Sequence, residues 1–298
     1  MKLQRRAEFL LLSITVVWGS TFVITKSLLE ENTPFLYTGV RFFLAAALLF
    51  AAFPKRIIRI TRSSIRHGII LGIFLYVGFV LQTIGIQYTT ASKAAFFTGM
   101  LTVFTPLVQY FLQHFFKSSQ KYLRIGNMVG AVLAGGGLYL LTSPAGGGFT
   151  IGDAMSLACA LMFAFYIVYL DYASSEPDKM PMTFVMFLVC GIGGVAGAGL
   201  AEPFVLMLST RFVVSLLYLT IFATVITMAI QNRYQGDTTP ARAAVIFALE
   251  PVVAAVFAFF VRGEELGVVG ISGGIAVVGG LLVSEFSEEI PFLGKVLR

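Results

Sequence analysis

The chain has 298 residues, 57% of them hydrophobic and only 12% charged, with a mean hydropathy of +0.88 and a net charge of +6. Soluble domains carry about 25% charged residues, and a soluble fold of this length has too little interior to hide so much apolar surface, so an ordinary soluble enzyme, a disordered chain and a nucleic-acid-binding domain are excluded. Two cysteines, Cys159 and Cys190, and two histidines, His67 and His114, offer neither a disulfide framework nor a histidine-rich metal site, and no cofactor is expected.

A bilayer core of about 30 Å needs about 20 apolar helical residues. In chain order, runs of that kind cover 9–25, 34–54, 68–88, 94–115, 125–141, 154–170, 181–200, 212–232, 240–260 and 266–284. Only Arg41 interrupts the second, and Glu250 interrupts the middle of the ninth, which carries Arg242 in its first turn. The runs are continuous rather than alternating, which argues for helices and against a lipid-facing barrel. The first run follows Lys2, Arg5 and Arg6, as a signal peptide would, but Trp18-Gly19-Ser20-Thr21-Phe22 is no small-residue cleavage site. A retained first helix is therefore expected.

The spacing predicts ten spans joined by short connections. With the N-terminus inside, sixteen of the 21 Lys and Arg fall on the inner side and four on the outer, Arg41 lying within the membrane. Both termini and the loops around Arg56 and Lys121 are then cytoplasmic, and the loop around Gly147 is external. The same bias accounts for the pI of about 9.4 without a nucleic-acid partner.

The second half repeats the first. Gly126, Gly130, Gly135 and Gly136 fall on Gly270, Gly274, Gly279 and Gly280 at an offset of 144. Thr89-Thr90-Ala91-Ser92-Lys93-Ala94-Ala95 falls on Thr238-Thr239-Pro240-Ala241-Arg242-Ala243-Ala244 at 149, an offset shared by Gln82 and Gln231. Glu8 matches Asp153, Trp18-Gly19 matches Phe163-Ala164 and Pro106 matches Pro251, all at 145. Five helices per copy is an odd number, so the second copy enters the membrane from the opposite side. Inverted repeats of this sort are a secondary-transporter architecture with its site near the midplane between the halves. The expected organisation is a first repeat at 8–141, a linker at 142–152, a second repeat at 153–285 and a cytoplasmic tail at 286–298.

On these residues the chain resembles the EamA-type members of the drug/metabolite transporter superfamily. The resemblance is carried by Val17-Trp18-Gly19-Ser20-Thr21-Phe22, by Leu81-Gln82-Thr83-Ile84-Gly85-Ile86-Gln87-Tyr88-Thr89-Thr90-Ala91, by Ala95-Phe96-Phe97-Thr98-Gly99, and by Leu249-Glu250-Pro251-Val252-Val253 followed by Gly263-Glu264. It implies a ten-helix fold around a central cavity in the cytoplasmic membrane and export of amino acids or other small metabolites by alternating access. The chain departs from the pattern at Lys117-Ser118-Ser119, where the second half has Gly263-Glu264, and at Phe163, where many members have Trp. Sugar-phosphate and nucleotide-sugar exchangers of the same superfamily are the nearest alternative, and they would need several cations in the cavity. A polytopic membrane enzyme is a more distant one, because the sequence has no cluster of His, Asp or Glu.

A cation inside a span costs about 2.5–3.5 kcal/mol on insertion scales, so Arg41 is expected to face the cavity or a partner, or else to snorkel to the outer surface. Glu250, the one mid-span acid, is placed to bind a substrate amine, to carry a coupling proton or to accept donors freed by a kink at Pro251. Pro106 and Pro251 are expected to kink matching spans and to serve a gate. Trp18, Thr21, Tyr76, Gln82, Phe97, Thr98, Tyr166 and Gln231 are the further candidates for the cavity wall, and Gly126, Gly130, Gly270 and Gly274 are expected to pack the fifth span on the tenth. The expected partners are a small-molecule substrate and the lipid bilayer; the oligomeric state stays open.

Overall fold

The computed structural model describes residues 2–112, 125–142, 149–203, 207–262 and 267–286. Those residues are helical apart from short turns. The regions around Lys121 and Gly147, the Gly263-Glu264 pair, most of the linker and residues 287–298 of the tail lie outside them. In order, the helices are α1 (Lys2–Leu28), α2 (Pro34–Ala52), the short α3 (Pro54–Ile57), α4 (Arg62–Gln87), α5 (Ala91–Gly99), α6 (Leu101–Leu112), α7 (Ile125–Thr142), α8 (Ile151–Tyr172) and α9 (Lys179–Ala201). They continue as α10 (Thr210–Thr220), a π-helical turn (Ile221–Ile226), α11 (Thr227–Tyr234), α12 (Pro240–Phe247), α13 (Glu250–Arg262) and α14 (Val268–Phe286).

Eight segments of the described residues are long and apolar enough to cross a bilayer, and Gly126–Leu140 and Val268–Val283 are shorter apolar helices. The surface is apolar: Phe9, Leu107, Val132, Leu200, Phe260 and Val268 all face outwards. In water such a surface would drive aggregation, whereas in lipid it costs nothing. The chain is an all-helical polytopic membrane protein.

Caps fix most helix starts. The side chains of Thr61, Thr90, Ser209 and Thr239 each accept a backbone N–H from the first turn that follows. Thr90 and Thr239 stand 149 residues apart, so both copies of the repeat begin their fourth span with the same chemistry. At α8 the cap is reciprocal, with Asp153 N donating to Thr150 Oγ1 and Thr150 N to Asp153 Oδ2. Asp178 caps α9 through Met180 N and is also paired with Arg56 at 2.5 Å, tying α3 to the α8–α9 turn. Burial pushes the Asp178 carboxyl up, but the hydrogen bonds from Arg56 and Met180 outweigh it and hold the group below the ordinary carboxylate value.

Close packing relies on glycine. In α2 and α9, Gly39 lies against Gly194, while the Phe43 ring covers Gly191 and the Phe35 ring covers Gly197, an antiparallel register. In α7 and α14, a Cβ on Gly280 would stand 2.6 Å from Gly130 O, and one on Gly137 would stand 2.6 Å from Val277 N. These helices therefore also run antiparallel, packed along their length. Of the four glycines expected at this seam, Gly130 is in it. Gly126, one turn before Gly130, and Gly270, one turn before the Gly273 whose carbonyl faces Gly137, are also buried, while Gly274 is half-buried and borders an apolar groove beside α13.

Two spans are interrupted, one further from its proline than the other. The α5–α6 interruption is at Met100, six residues before Pro106, which lies inside α6. The α12–α13 interruption is at Ala248 and Leu249, and Pro251 follows in the first turn of α13, where its missing N–H has no helical partner to lose. Met100 and Leu249 are equivalent at the 149-residue offset. The interruption thus follows the repeat, and the prolines fall at different distances from it.

Candidate functional site

A cavity of about 50 Å³ lies among α1, α2, α4, α6, α8, α11, α12 and α13. It is lined by Trp18 and Thr21 of α1, Arg41 of α2, Leu75, Phe79 and Gln82 of α4, Leu101 of α6, and Phe163, Tyr166 and Ile167 of α8. Met228 and Gln231 of α11, Phe247 of α12 and Glu250 at the start of α13 complete the wall. Five pairs in this wall are equivalents in the repeat: Trp18 with Phe163 and Thr21 with Tyr166 at an offset of 145, and Phe79 with Met228, Gln82 with Gln231 and Leu101 with Glu250 at 149. Alignment on the prolines pairs Glu250 with Thr105; in the cavity its equivalent is Leu101, and Thr105 is buried, donating to Leu101 O at 2.7 Å. Under either alignment the acid has a neutral counterpart.

Arg41 is buried and directed inwards. Its Nε donates to Thr224 Oγ1 at 2.8 Å, its Nη1 to Tyr37 Oη at 3.0 Å and its Nη2 to Ala223 O at 3.4 Å. The guanidinium also lies over the Phe79 ring at 5.1 Å, a favourable cation–π placement. Snorkelling to the outer surface is therefore ruled out. Thr224 and Ala223 belong to the π-helical turn, Tyr37 to α2 itself. Widening the helix there takes carbonyls out of the i→i−4 ladder, and Ala223 O receives both Arg41 and, at 3.2 Å, Trp18 Nε1. Trp18 Nε1 also reaches Thr227 Oγ1 at 3.0 Å, and its ring meets Phe247 edge-on at 5.3 Å. Arg41 uses three of its five N–H groups in these bonds.

Glu250 differs. No hydrogen bond to its carboxylate is formed among the described residues, and the side chain is only partly covered where it borders the cavity. The kink at Pro251 supplies it with no donor. Among the described lining residues it is the one acid and Arg41 the one cation. Beside the cavity, polar bonds join α8 to α11 and run on towards the end of α8. Tyr166 Oη donates to Asn232 Oδ1 at 2.7 Å, Gln231 Nε2 to Gln235 Oε1 at 2.8 Å, and Gln235 Nε2 to Ile167 O at 2.8 Å. A wall of aromatic rings with one fixed cation and one unpartnered carboxylate is suited to a small solute carrying both charges.

Of the ten candidates for the cavity wall, Trp18, Thr21, Arg41, Gln82, Tyr166, Gln231 and Glu250 meet here. The other three lie elsewhere. Tyr76 turns to α9 and donates to Gly193 O at 2.7 Å. Phe97 packs on Phe96 and Phe149. Thr98 sits behind Gln82, which donates to it at 3.4 Å. Sequence reasoning missed Leu75, Phe79, Leu101, Phe163, Ile167, Met228 and Phe247. The 149-residue offset already pairs Phe79 with Met228 around Gln82 and Gln231, and that was the signal available.

The family model described as "EamA-like transporter family" matches residues 5–143 and 150–286. An uncharacterized transporter of Archaeoglobus fulgidus is 30% identical over 93% of this chain and 85% of its own. A Salmonella typhimurium protein named "Probable amino-acid metabolite efflux pump" is 27% identical over 99% of both chains. A solved crystal structure shares the fold with a TM-score of 0.78 at 19% identity, covering 96% of this chain and 98% of that one. With its glycine-packed apolar helices and the family match over both halves, the chain belongs to the EamA-like transporter family.

Proposed function

We propose that the protein is a secondary carrier that exports a zwitterionic, amino-acid-like metabolite across the cytoplasmic membrane by alternating access. The observation that carries this reading is the pairing in one cavity of Arg41, with donors to spare, and Glu250, with no partner. An α-carboxylate fits the first and an ammonium group the second, each as a charge-assisted hydrogen bond, and the rings of Trp18, Phe79, Phe163 and Phe247 cover the remainder. The name of the Salmonella relative supports both the solute class and the outward direction. A phosphate-bearing substrate would place its charge against one cation and next to an acid, which disfavours the sugar-phosphate alternative.

In this reading the chain makes ten spans with both termini cytoplasmic. At 1.5 Å per residue α7 and α14 reach about 27–28 Å, close to the hydrocarbon thickness, so both cross. The two matched stretches of the family model support repeats at 8–141 and 153–285, and the antiparallel packing of α2 on α9 and of α7 on α14 supports their inversion. Export follows from the family name of the relative and from the resemblance, not from the cavity.

The test is counterflow in proteoliposomes loaded with isotopically labelled amino acids. Uptake should saturate without ATP, and the corresponding amines, lacking the carboxylate, should compete poorly. Flux that needs ATP, conductance without saturation, or competition by sugar phosphates would each overturn the reading.

A further inference from the structure

Two buried charge clusters lie away from the cavity, and the repeat relates them residue by residue. In one, Glu8 Oε1 stands 3.4 Å from Arg242 Nη1 and accepts Thr238 Oγ1 at 2.9 Å. In the other, Asp153 Oδ2 accepts Lys93 Nζ at 3.2 Å and Asp153 Oδ1 accepts Thr89 Oγ1 at 2.5 Å. Glu8 and Asp153 are equivalents at an offset of 145; Thr89 and Thr238, and Lys93 and Arg242, are equivalents at 149. Both carboxylates are at least nine-tenths buried. Each cluster joins the first helix of one repeat to the fourth span of the other, so each crosses the seam between the halves.

The clusters stand at opposite ends of the molecule. Lys26, near the end of α1, donates to Thr89 O at 2.6 Å, so α1 reaches from the Glu8 cluster to the Asp153 cluster. Those 18 residues measure about 27 Å, nearly a hydrocarbon thickness. Likewise α8 starts at Asp153 and ends beside the other cluster, where Gln235 Nε2 bonds Ile167 O and Ser174 meets Gly236, two residues before Thr238. Trp18 and Thr21 of α1, with Phe163 and Tyr166 of α8, lie between the ends and line the cavity. With both clusters formed, the cavity is about 50 Å³, room for a water or two and far below the 300 Å³ or more that ligand sites need.

We infer that Glu8–Arg242–Thr238 and Asp153–Lys93–Thr89 are the two gate latches of the carrier, one on each face, and that opening to a face requires its own latch to separate while the other holds. The inference rests on the alternating-access reading but on no particular solute. The Asp153 latch also closes the α8 cap, so Lys93 is the residue that separates it without undoing the helix start.

A single-cysteine reporter tests this in the full-length protein. With Cys159 and Cys190, both buried, replaced by Ala, Thr21→Cys places one thiol in the cavity wall. Its labelling by a membrane-impermeant thiol reagent is timed from each side of sealed vesicles, with no solute present. Glu8→Gln and Arg242→Gln should each speed labelling at least threefold from one face. Asp153→Asn and Lys93→Gln should speed it as much from the opposite face. If Asp153→Asn fails to fold, Lys93→Gln carries that arm alone. Faster labelling from the same face for both groups, or unchanged labelling in folded variants of both, overturns the assignment. Because labelling needs no solute, failure of the amino-acid reading leaves this result untouched, and reversed orientation exchanges the faces without making them the same.

Discussion

Glu250 and Arg41 face the same cavity on different terms, and the difference sets what each substitution does. Arg41 is held by Thr224, Tyr37 and Ala223 and therefore also supports the fold. Glu250 has no hydrogen-bonding partner among the described residues, so its replacement leaves no donor stranded. Glu250→Gln and Glu250→Ala should both fold with an unchanged melting temperature in detergent. A hydrogen bond to a charged group is worth about 1.5–3 kcal/mol and each 1.4 kcal/mol is a factor of ten, so the half-saturation concentration of counterflow should rise by at least about tenfold. Normal half-saturation in Glu250→Gln would remove the carboxylate from recognition. Outside the membrane, Asp178 gives a pH prediction with a definite sign. Its carboxyl is held below the ordinary value in the fold, so its contribution is present above the unfolded value, about 4, and fades as pH falls through the folded one. Arg56 and Asp178 are 47% and 35% exposed, which limits the pair to about 1 kcal/mol or less. Asp178→Asn keeps the α9 cap, so it should lower the melting temperature slightly at pH 7 and by less at pH 3. An equal loss at both would show that the ion pair contributes nothing.

At the scale of elements, the interruptions and the π-helical turn do more for the site than the continuous helices. The α12–α13 interruption brings Glu250 to the start of a helix, and the π turn releases the carbonyl that receives Arg41 and Trp18. The sequence made the spans legible to within a few residues, because a charge-free apolar run allows little else. It pointed to interruption through Pro106 and Pro251: the break at Ala248 and Leu249 lies in the turn before Pro251, where a missing N–H and the ring act, whereas the break at Met100 lies six residues before Pro106. The π turn left no trace, since Ile221–Ile226 is an unremarkable apolar hexamer in composition. Contact between α1 and α13 depends on Gly19, where a Cβ would lie 2.7 Å from Val253 Cβ and 2.9 Å from Glu250 O. Backbone cannot swing aside as a side-chain end can. Gly19→Ala should therefore cost about 1–3 kcal/mol by overpacking, read as a lower melting temperature, and should displace the start of α13. An unshifted transition would mean that α13 moves freely against α1.

For the whole molecule, the informative feature of the sequence was its self-similarity. Offsets of 145 and 149 pair Trp18 with Phe163 and Gln82 with Gln231, and those residues meet in one cavity. Tyr76 and Phe97 were chosen for being aromatic inside a span, and they turned to α9 and to Phe149 instead. With 29 Phe in the chain, aromatic character alone does not separate cavity from packing, whereas membership of a repeat-related pair does. Arg41 and Glu250 were legible as lone charges within spans, and Gln82 and Gln231 through the duplication; the rest depend on helix rotation, which composition does not encode.

Gly19 also bears on how the ends of α1 move. It stands about 16 Å from Glu8 and about 10 Å from Lys26 along the helix, and there, with no side chain of its own, α1 rests against Val253 and the Glu250 carbonyl of α13. A rigid rod held at such a point behaves as a lever with unequal arms. Tilting it by about 6° carries the Glu8 end about 1.7 Å one way and the Lys26 end about 1 Å the other, by the arm lengths above. Contacts of 2.9–3.4 Å at one end and 2.6 Å at the other do not survive such displacements unless their partners follow. The long arm belongs to the Glu8 side, so a given tilt disturbs that end the more.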